Sequence, residues 1–280
     1  MRALTPSYWS RIAAVSAVAL GMTAAGAGSA AAAILFSASG TAAGNAVSAS
    51  ALFSMVGSTV TITLTNTSAQ TSGDVPGSTL SGLYFNLGSA ALTPVSAVAS
   101  NVIGTQCNLA SCLGANVNVA GEFGYQFNPA NPNNLAAKQG IASSGYLTTG
   151  LTGNIGNFNN GAAGVNLDDP GSLDGINFAI VSNNFNNPNG GLTGRPLVKN
   201  SVTFVLNGNL TSLTEASITN VSFQYGTSYT ETSIGCIPGV PRCNLSIDPP
   251  PNEVPEPASL AVIGVGLVGL GMVSRRRRVL

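Results

Sequence analysis

Val60-Thr61-Ile62-Thr63-Leu64-Thr65 alternates aliphatic and threonine side chains at a period of two, and this restricts the fold more than any other feature of the chain. Alternation at that period turns one face of a strand to a core and the other to solvent. Leu83 to Leu87, Ile176 to Val181, Val202 to Leu206 and Ile218 to Tyr225 are similarly rich in branched and aromatic residues, with glycine and asparagine between them. Asn207-Gly208 suits a two-residue hairpin turn, because both positions tolerate positive φ. No segment between the two ends of the chain keeps a capped helical period for four turns. Short strands without alternating helices predict an all-β, antiparallel β-sandwich rather than a parallel α/β fold. The stretch available, about 220 residues, suits one large all-β domain.

The middle differs in texture. From Asn128 to Arg195 the chain is dominated by Asn, Gly and Ser, as in Asn183-Asn184-Phe185-Asn186-Asn187-Pro188-Asn189, which predicts long loops. Within them, Asn166 to Gly175 gathers the carboxylates Asp168, Asp169 and Asp174, oxygen donors of the kind calcium takes. The spacing is not that of an EF-hand loop, and local turn and capping hydrogen bonds are the expected use of these residues. Four cysteines occur as two close pairs, Cys107 with Cys112 and Cys236 with Cys243. In an oxidising compartment they would form two disulfides; three pairings are open, of which the local one is favoured. A zinc site is disfavoured, since the chain has no histidine and neither spacing is typical of a ligand pair.

Lack of histidine also excludes Ser-His-Asp and Cys-His nucleophile systems. Carboxylate chemistry through Glu122, Asp168, Asp169 or Asp174 remains open on paper, but no spacing sets two of them across a sugar, so no enzyme and no cofactor are expected. The full chain balances 10 basic against 10 acidic residues, yet six of the arginines lie at the two ends. Lys138, Arg195, Lys199 and Arg242 then face nine acids up to Glu253, a net charge of −5 that offers no surface to a nucleic acid. Solubility must rest on Ser, Thr, Asn and Gly, a neutral polar surface suited to a polysaccharide setting.

Both ends look like addresses. Arg2 and Arg11 precede an apolar stretch from Ile12 to about Ala25, and small residues up to Ala33 offer A-x-A-like cleavage positions, so residues 1–33 are expected to be a secretory signal peptide handled by the general secretion machinery. At the other end, Ile247 to Glu253 forms a proline-rich stem that should be extended. Val254-Pro255-Glu256-Pro257 follows, then an apolar run from Ala258 to Val273 and the cluster Arg275-Arg276-Arg277-Arg278. The run is expected to be a single transmembrane helix, short against the roughly 20 residues of a full span, with its arginines on the cytoplasmic side. Gly264-Val265-Gly266-Leu267-Val268-Gly269 matches a dinucleotide-binding pattern but lacks the surrounding βαβ unit, so no cofactor is assigned to it.

This tail, residues 254–280, closely resembles the PEP-CTERM signal. The resemblance implies recognition at the inner membrane by an exosortase, processing near Pro255-Glu256-Pro257, and export to the cell surface or beyond. The strings Thr61 to Thr67, Leu80 to Leu87, Leu173 to Phe178 and Asn220 to Ser228 also resemble a family of exosortase-dependent surface proteins, a likeness that implies no enzymatic activity. The expected product is a β-sandwich passenger at 34–246 with a structural or adhesive role in the envelope or biofilm. The alternative is a carbohydrate-binding module, calcium-dependent or not, that meets extracellular polysaccharide through its loops.

Overall fold

The computed structural model describes residues 33–69, 75–89, 91–107, 112–129, 137–143, 155–157, 167, 176–185, 191–227, 231–235 and 243–246. Residues 1–32 and the expected carboxy-terminal helix lie outside these residues, whereas Ala33, the last residue of the expected signal peptide, is described and lies in a strand. No helix among the described residues is long and apolar enough to cross a membrane.

What the described residues form is almost entirely β-structure. The strands are β1 (Ala33–Ala42), β2 (Asn45–Val56), β3 (Thr59–Asn66), β4 (Leu80–Leu87), β5 (Thr93–Ile103), β6 (Gly114–Asn118), β7 (Gly124–Phe127), β8 (Gln139–Ala142), β9 (Ile155–Asn157), β10 (Ile180–Val181), β11 (Leu197–Lys199), β12 (Ser201–Asn207), β13 (Ile218–Tyr225), β14 (Ser233–Gly235) and β15 (Cys243–Ser246). Two 3₁₀ turns, Pro76–Ser78 and Glu215–Ser217, accompany them.

Local chemistry sets the first three strands. β1 and β2 meet through Ala43-Gly44, both at positive φ (49° and 79°), the primed turn whose twist matches that of antiparallel strands. β2 and β3 meet through Gly57-Ser58, with Gly57 at φ 61°. Val60, Ile62 and Leu64 are buried while the threonines between them are half-buried, as the alternation predicts.

The all-β class expected from the sequence is present, with two differences in connectivity. Hydrogen bonding joins the strands in one continuous path, β15-β1-β2-β3-β12-β5-β11-β10-β4-β8-β7-β9, with β6 on β5, β13 on β4 and β14 on β13, where two separate sheets were expected. The join is β10, which pairs β11 on one side and touches β4 through the single pair Ile180↔Leu80 on the other. The β10–β11 pair is also parallel, against an antiparallel expectation. Asn66 braces this corner, its Nδ2 donating to the Ile180 carbonyl (2.8 Å) and its backbone N–H to Asn200 (3.0 Å).

The path curls so that two of its faces share one core. Phe53 on β2 meets Phe85 on β4 edge to face at 5.1 Å, although five strands separate them along the path. Phe123 meets Phe204 at 5.0 Å in the same way. Ile62 and Leu64 from one face and Leu83, Phe223 and Tyr225 from the other belong to the same buried cluster. β4 is buried on both faces, with Tyr84 packing beside Ala137 and Ala142 away from the main core.

Three local expectations are corrected. Ile176 to Val181 forms a strand only at Ile180–Val181, because the residues before it turn: the Ala179 N–H donates to the Ile176 carbonyl (3.1 Å) and Phe178 sits at φ 59°. Asn207-Gly208 makes no hairpin. β12 ends there, Gly208 donates its N–H to Ser58 (2.8 Å), and β13 pairs with β4 and β14 instead of β12. The expected loop region from Asn128 to Arg195 contains β8, β9 and β10; β8 is a fully buried strand pairing both β4 and β7.

Candidate functional site

A concavity among the described residues lies at the end of β5. After Ile103 the chain turns at Gly104 (φ 128°), and the N–H groups of Thr105 and Gln106 both donate to the Gly194 carbonyl (2.9 and 2.8 Å). Glycine is required at 104, because a Cβ there would lie 2.2 Å from the Arg195 carbonyl oxygen. The disulfide Cys107–Cys112 then closes a small loop, with Cys112 in the core. Facing this segment, the turn Gly191–Arg195 closes through an Arg195 N–H to Leu192 carbonyl bond (3.2 Å).

Between the two sides is a cleft of about 220 Å³ lined by Ile103, Gly104, Phe185, Leu192, Gly194, Arg195 and Leu197. Its floor is apolar, continuous with the small cluster of Ile176, Val181, Phe185 and Leu197. The Arg195 guanidinium is anchored at the rim, Nε donating to the Gly191 carbonyl (3.0 Å) and Nη1 to Asn177 Oδ1 (2.9 Å). The volume falls below the roughly 300–1,000 Å³ of drug-sized ligand sites. The cleft therefore has room for one small group with an apolar face and an acceptor for the arginine.

A second cluster is polar and buried. The Tyr125 hydroxyl accepts from the Leu92 N–H (2.7 Å) and donates to Gln139 Oε1, while Gln139 Nε2 reaches the Leu87 carbonyl (3.4 Å). Burial pushes the Tyr125 hydroxyl up to about 12, the Leu92 N–H acting the other way. Tyr225 is raised further by complete burial, against a lowering contribution from Ser68. Glu122 is also buried, and its Oε1 accepts from the Leu167 N–H (2.7 Å). That bond ties two chain segments together, a bracing role for a carboxylate shut away from solvent.

The sequence-predicted residues are distributed as follows. Cys107 and Cys112 form the expected local disulfide. Cys243 starts β15, whereas Cys236 and the pairing of these two lie outside the described residues. Asp168, Asp169 and Asp174 lie outside them too, as do Val254, Pro255, Glu256, Pro257 and Arg275 to Arg278. No group of three or more His, Cys, Asp or Glu side chains placed to hold a metal occurs among the described residues. The Arg195 cleft was missed by sequence reading, since it is made by two glycine turns meeting from distant parts of the chain.

Comparison with known proteins identifies one region. The PEP-CTERM protein-sorting motif matches residues 253–278, which contain the Pro-Glu-Pro triplet, the apolar run and the arginine cluster. No curated protein and no solved structure matches the chain. The motif implies export and sorting to the cell surface by an exosortase.

Proposed function

We propose that this chain is a cell-surface or extracellular-matrix protein whose β-rich passenger, residues 34–246, has a structural or adhesive role in the envelope or biofilm. In this reading residues 1–33 direct secretion, 247–253 form a stem, and 254–280 hold the chain at the inner membrane until an exosortase acts at Pro255-Glu256-Pro257. The observation that carries it is the sorting motif at 253–278. The passenger is assigned no catalysis: the one buried carboxylate among its described residues, Glu122, holds a backbone N–H.

The test is the mass of the carboxy-terminal peptide from protein recovered at the cell surface. A peptide ending near Pro257 and lacking Arg275 to Arg278 supports the reading. Retention of the arginines, or an unchanged tail and location in a strain without its exosortase, would overturn it.

A carbohydrate-binding passenger is the second reading, favoured by the cleft beside Arg195. Binding on a glycan array that is lost in Arg195→Gln would raise it above the structural one.

A further inference from the structure

The face of the sheet that points away from the core has an unusual chemistry over β1, β2, β3, β12 and β5. None of the residues in these five adjacent strands is charged. Register places Leu35, Leu52, Thr63, Thr203 and Val98 in one row across the outward side. The next row runs Ser54, Thr61, Val205 and Ser96. Aliphatic side chains thus sit among hydroxyls, and Val98 (36% exposed) and Val56 (62%) are among the most exposed large apolar residues described.

Sheet faces and edges that must stay apart in solution are usually guarded by charge. Here that guard is missing, and the hydroxyls are partly satisfied within the sheet: Thr63 pairs with Thr203 (3.2 Å) and Thr59 donates to Asn207 (3.0 Å). Covering them removes less hydration than covering free hydroxyls would.

We propose that this face is a self-association surface, on which a second copy of the chain stacks the same face about a twofold axis. Five strands about 4.8 Å apart and some eight residues of about 3.4 Å long give roughly 650 Å² per copy, or about 1,300 Å² for the pair. That falls within the roughly 1,200–2,000 Å² of specific interfaces. A twofold interface brings the same patch against itself, so any charge near the axis would meet its own like charge; a neutral face is what such an arrangement needs. A glycan is the poorer occupant, because Phe36, Phe53 and Phe204, the aromatic residues of these strands, all point into the core and leave no ring to stack on a sugar.

This inference does not depend on the sorting reading and is tested separately from it. The full chain, purified in detergent, is followed by sedimentation over a dilution series, with Thr63→Lys, Val98→Lys and Thr219→Lys alongside. Thr219 is exposed on β13, away from this face, and serves as the control. The wild type and Thr219→Lys are expected to dimerise alike, and each face variant to weaken the dimer at least about tenfold through like charges brought together. Val98→Lys, at an already exposed position, keeps the test valid if Thr63→Lys fails to fold, which far-UV circular dichroism reads. A monomeric wild type overturns the proposal. So does a dimer that survives in the folded face variants, since association then runs through the tail or another surface, and so does a control as disruptive as they are.

Discussion

Replacing Phe53 by alanine should reveal whether the two faces of the curled sheet share one core. The Phe53 ring is fully buried and meets Phe36 at 5.6 Å and 85°, and Phe85 at 5.1 Å and 68°. Truncating a buried phenylalanine costs about 3–5 kcal/mol. Two edge-to-face contacts, each contributing about 0.5–1.5 kcal/mol beyond buried area, place this site in the upper part of that range. An expected loss of about 4–5 kcal/mol lowers the melting temperature by roughly 8–20 °C in a domain of this size. Phe53→Leu keeps much of the apolar volume but loses both ring contacts, so it should cost about 1–3 kcal/mol, less than the alanine variant. Thr61→Ala, on the outward side of β3, should stay within about 0.5 kcal/mol. Urea unfolding followed by circular dichroism measures all three, and the denaturant slope should not change between variants. If Phe53→Ala costs no more than Thr61→Ala, Phe85 does not pack on Phe53 and the shared core is refuted.

Three further outcomes are expected. Cys107→Ala with Cys112→Ala opens a loop with a sequence separation of 5; the closure entropy of so short a loop amounts to about 2 kcal/mol, read as a lower urea midpoint. Gly104→Ala combines a φ of 128° with a Cβ set against the Arg195 carbonyl, so it should destabilise by at least about 1–3 kcal/mol and speed proteolysis between Thr105 and Arg195. Because Tyr125 is pushed up to about 12, the folded hydroxyl keeps its proton where an unfolded tyrosine, which titrates near its ordinary value of 10.0, loses its own. Its contribution is therefore complete below pH 10 and is lost as the pH rises towards 12, with Tyr225 acting in the same direction. Tyr125→Phe should make alkaline unfolding less steep, while costing about 1–3 kcal/mol at neutral pH because the buried Leu92 N–H loses its acceptor.

How much of this was legible in the sequence follows from what makes each element. β3 announces itself by alternating threonine with aliphatics, β12 and β13 by runs rich in branched and aromatic residues, and they form almost where these patterns place them. β1 and β2 escape such reading. Their inward positions include Ala38, Ala42, Ala49 and Ala51, buried yet drawn from a residue that is depleted in strands, so burial of small side chains and cross-strand pairing decide their structure. β8 is hidden for a similar reason, since Gln139-Gly140-Ile141-Ala142 is a strand only because β4 and β7 flank it. The corner at β10 and the cleft at Arg195 depend on residues far apart in the chain meeting, which no local pattern encodes. The sorting tail was readable because its signal is carried by short-range order: the triplet, the apolar run and the arginines stand in sequence.

The pairing of the first and last described strands bears on that tail. β15 runs antiparallel to β1, with Leu35 opposite Ser246 and Ala38 opposite Cys243, so the first and last described strands are neighbours. Among the described residues, β15 is the terminal strand of the hydrogen-bonded path and its pairing partner is β1. A cut anywhere before Ser246 would strip β1 of that partner and expose its backbone edge. A cut near Pro257, as proposed above, would fall beyond β15 and spare the pair. An exported chain cut there should therefore unfold at the same temperature as the uncut chain, whereas truncation after Gly235 should lower it. Equal melting of the Gly235-truncated and uncut chains would show that β15 contributes nothing and that the domain ends before it.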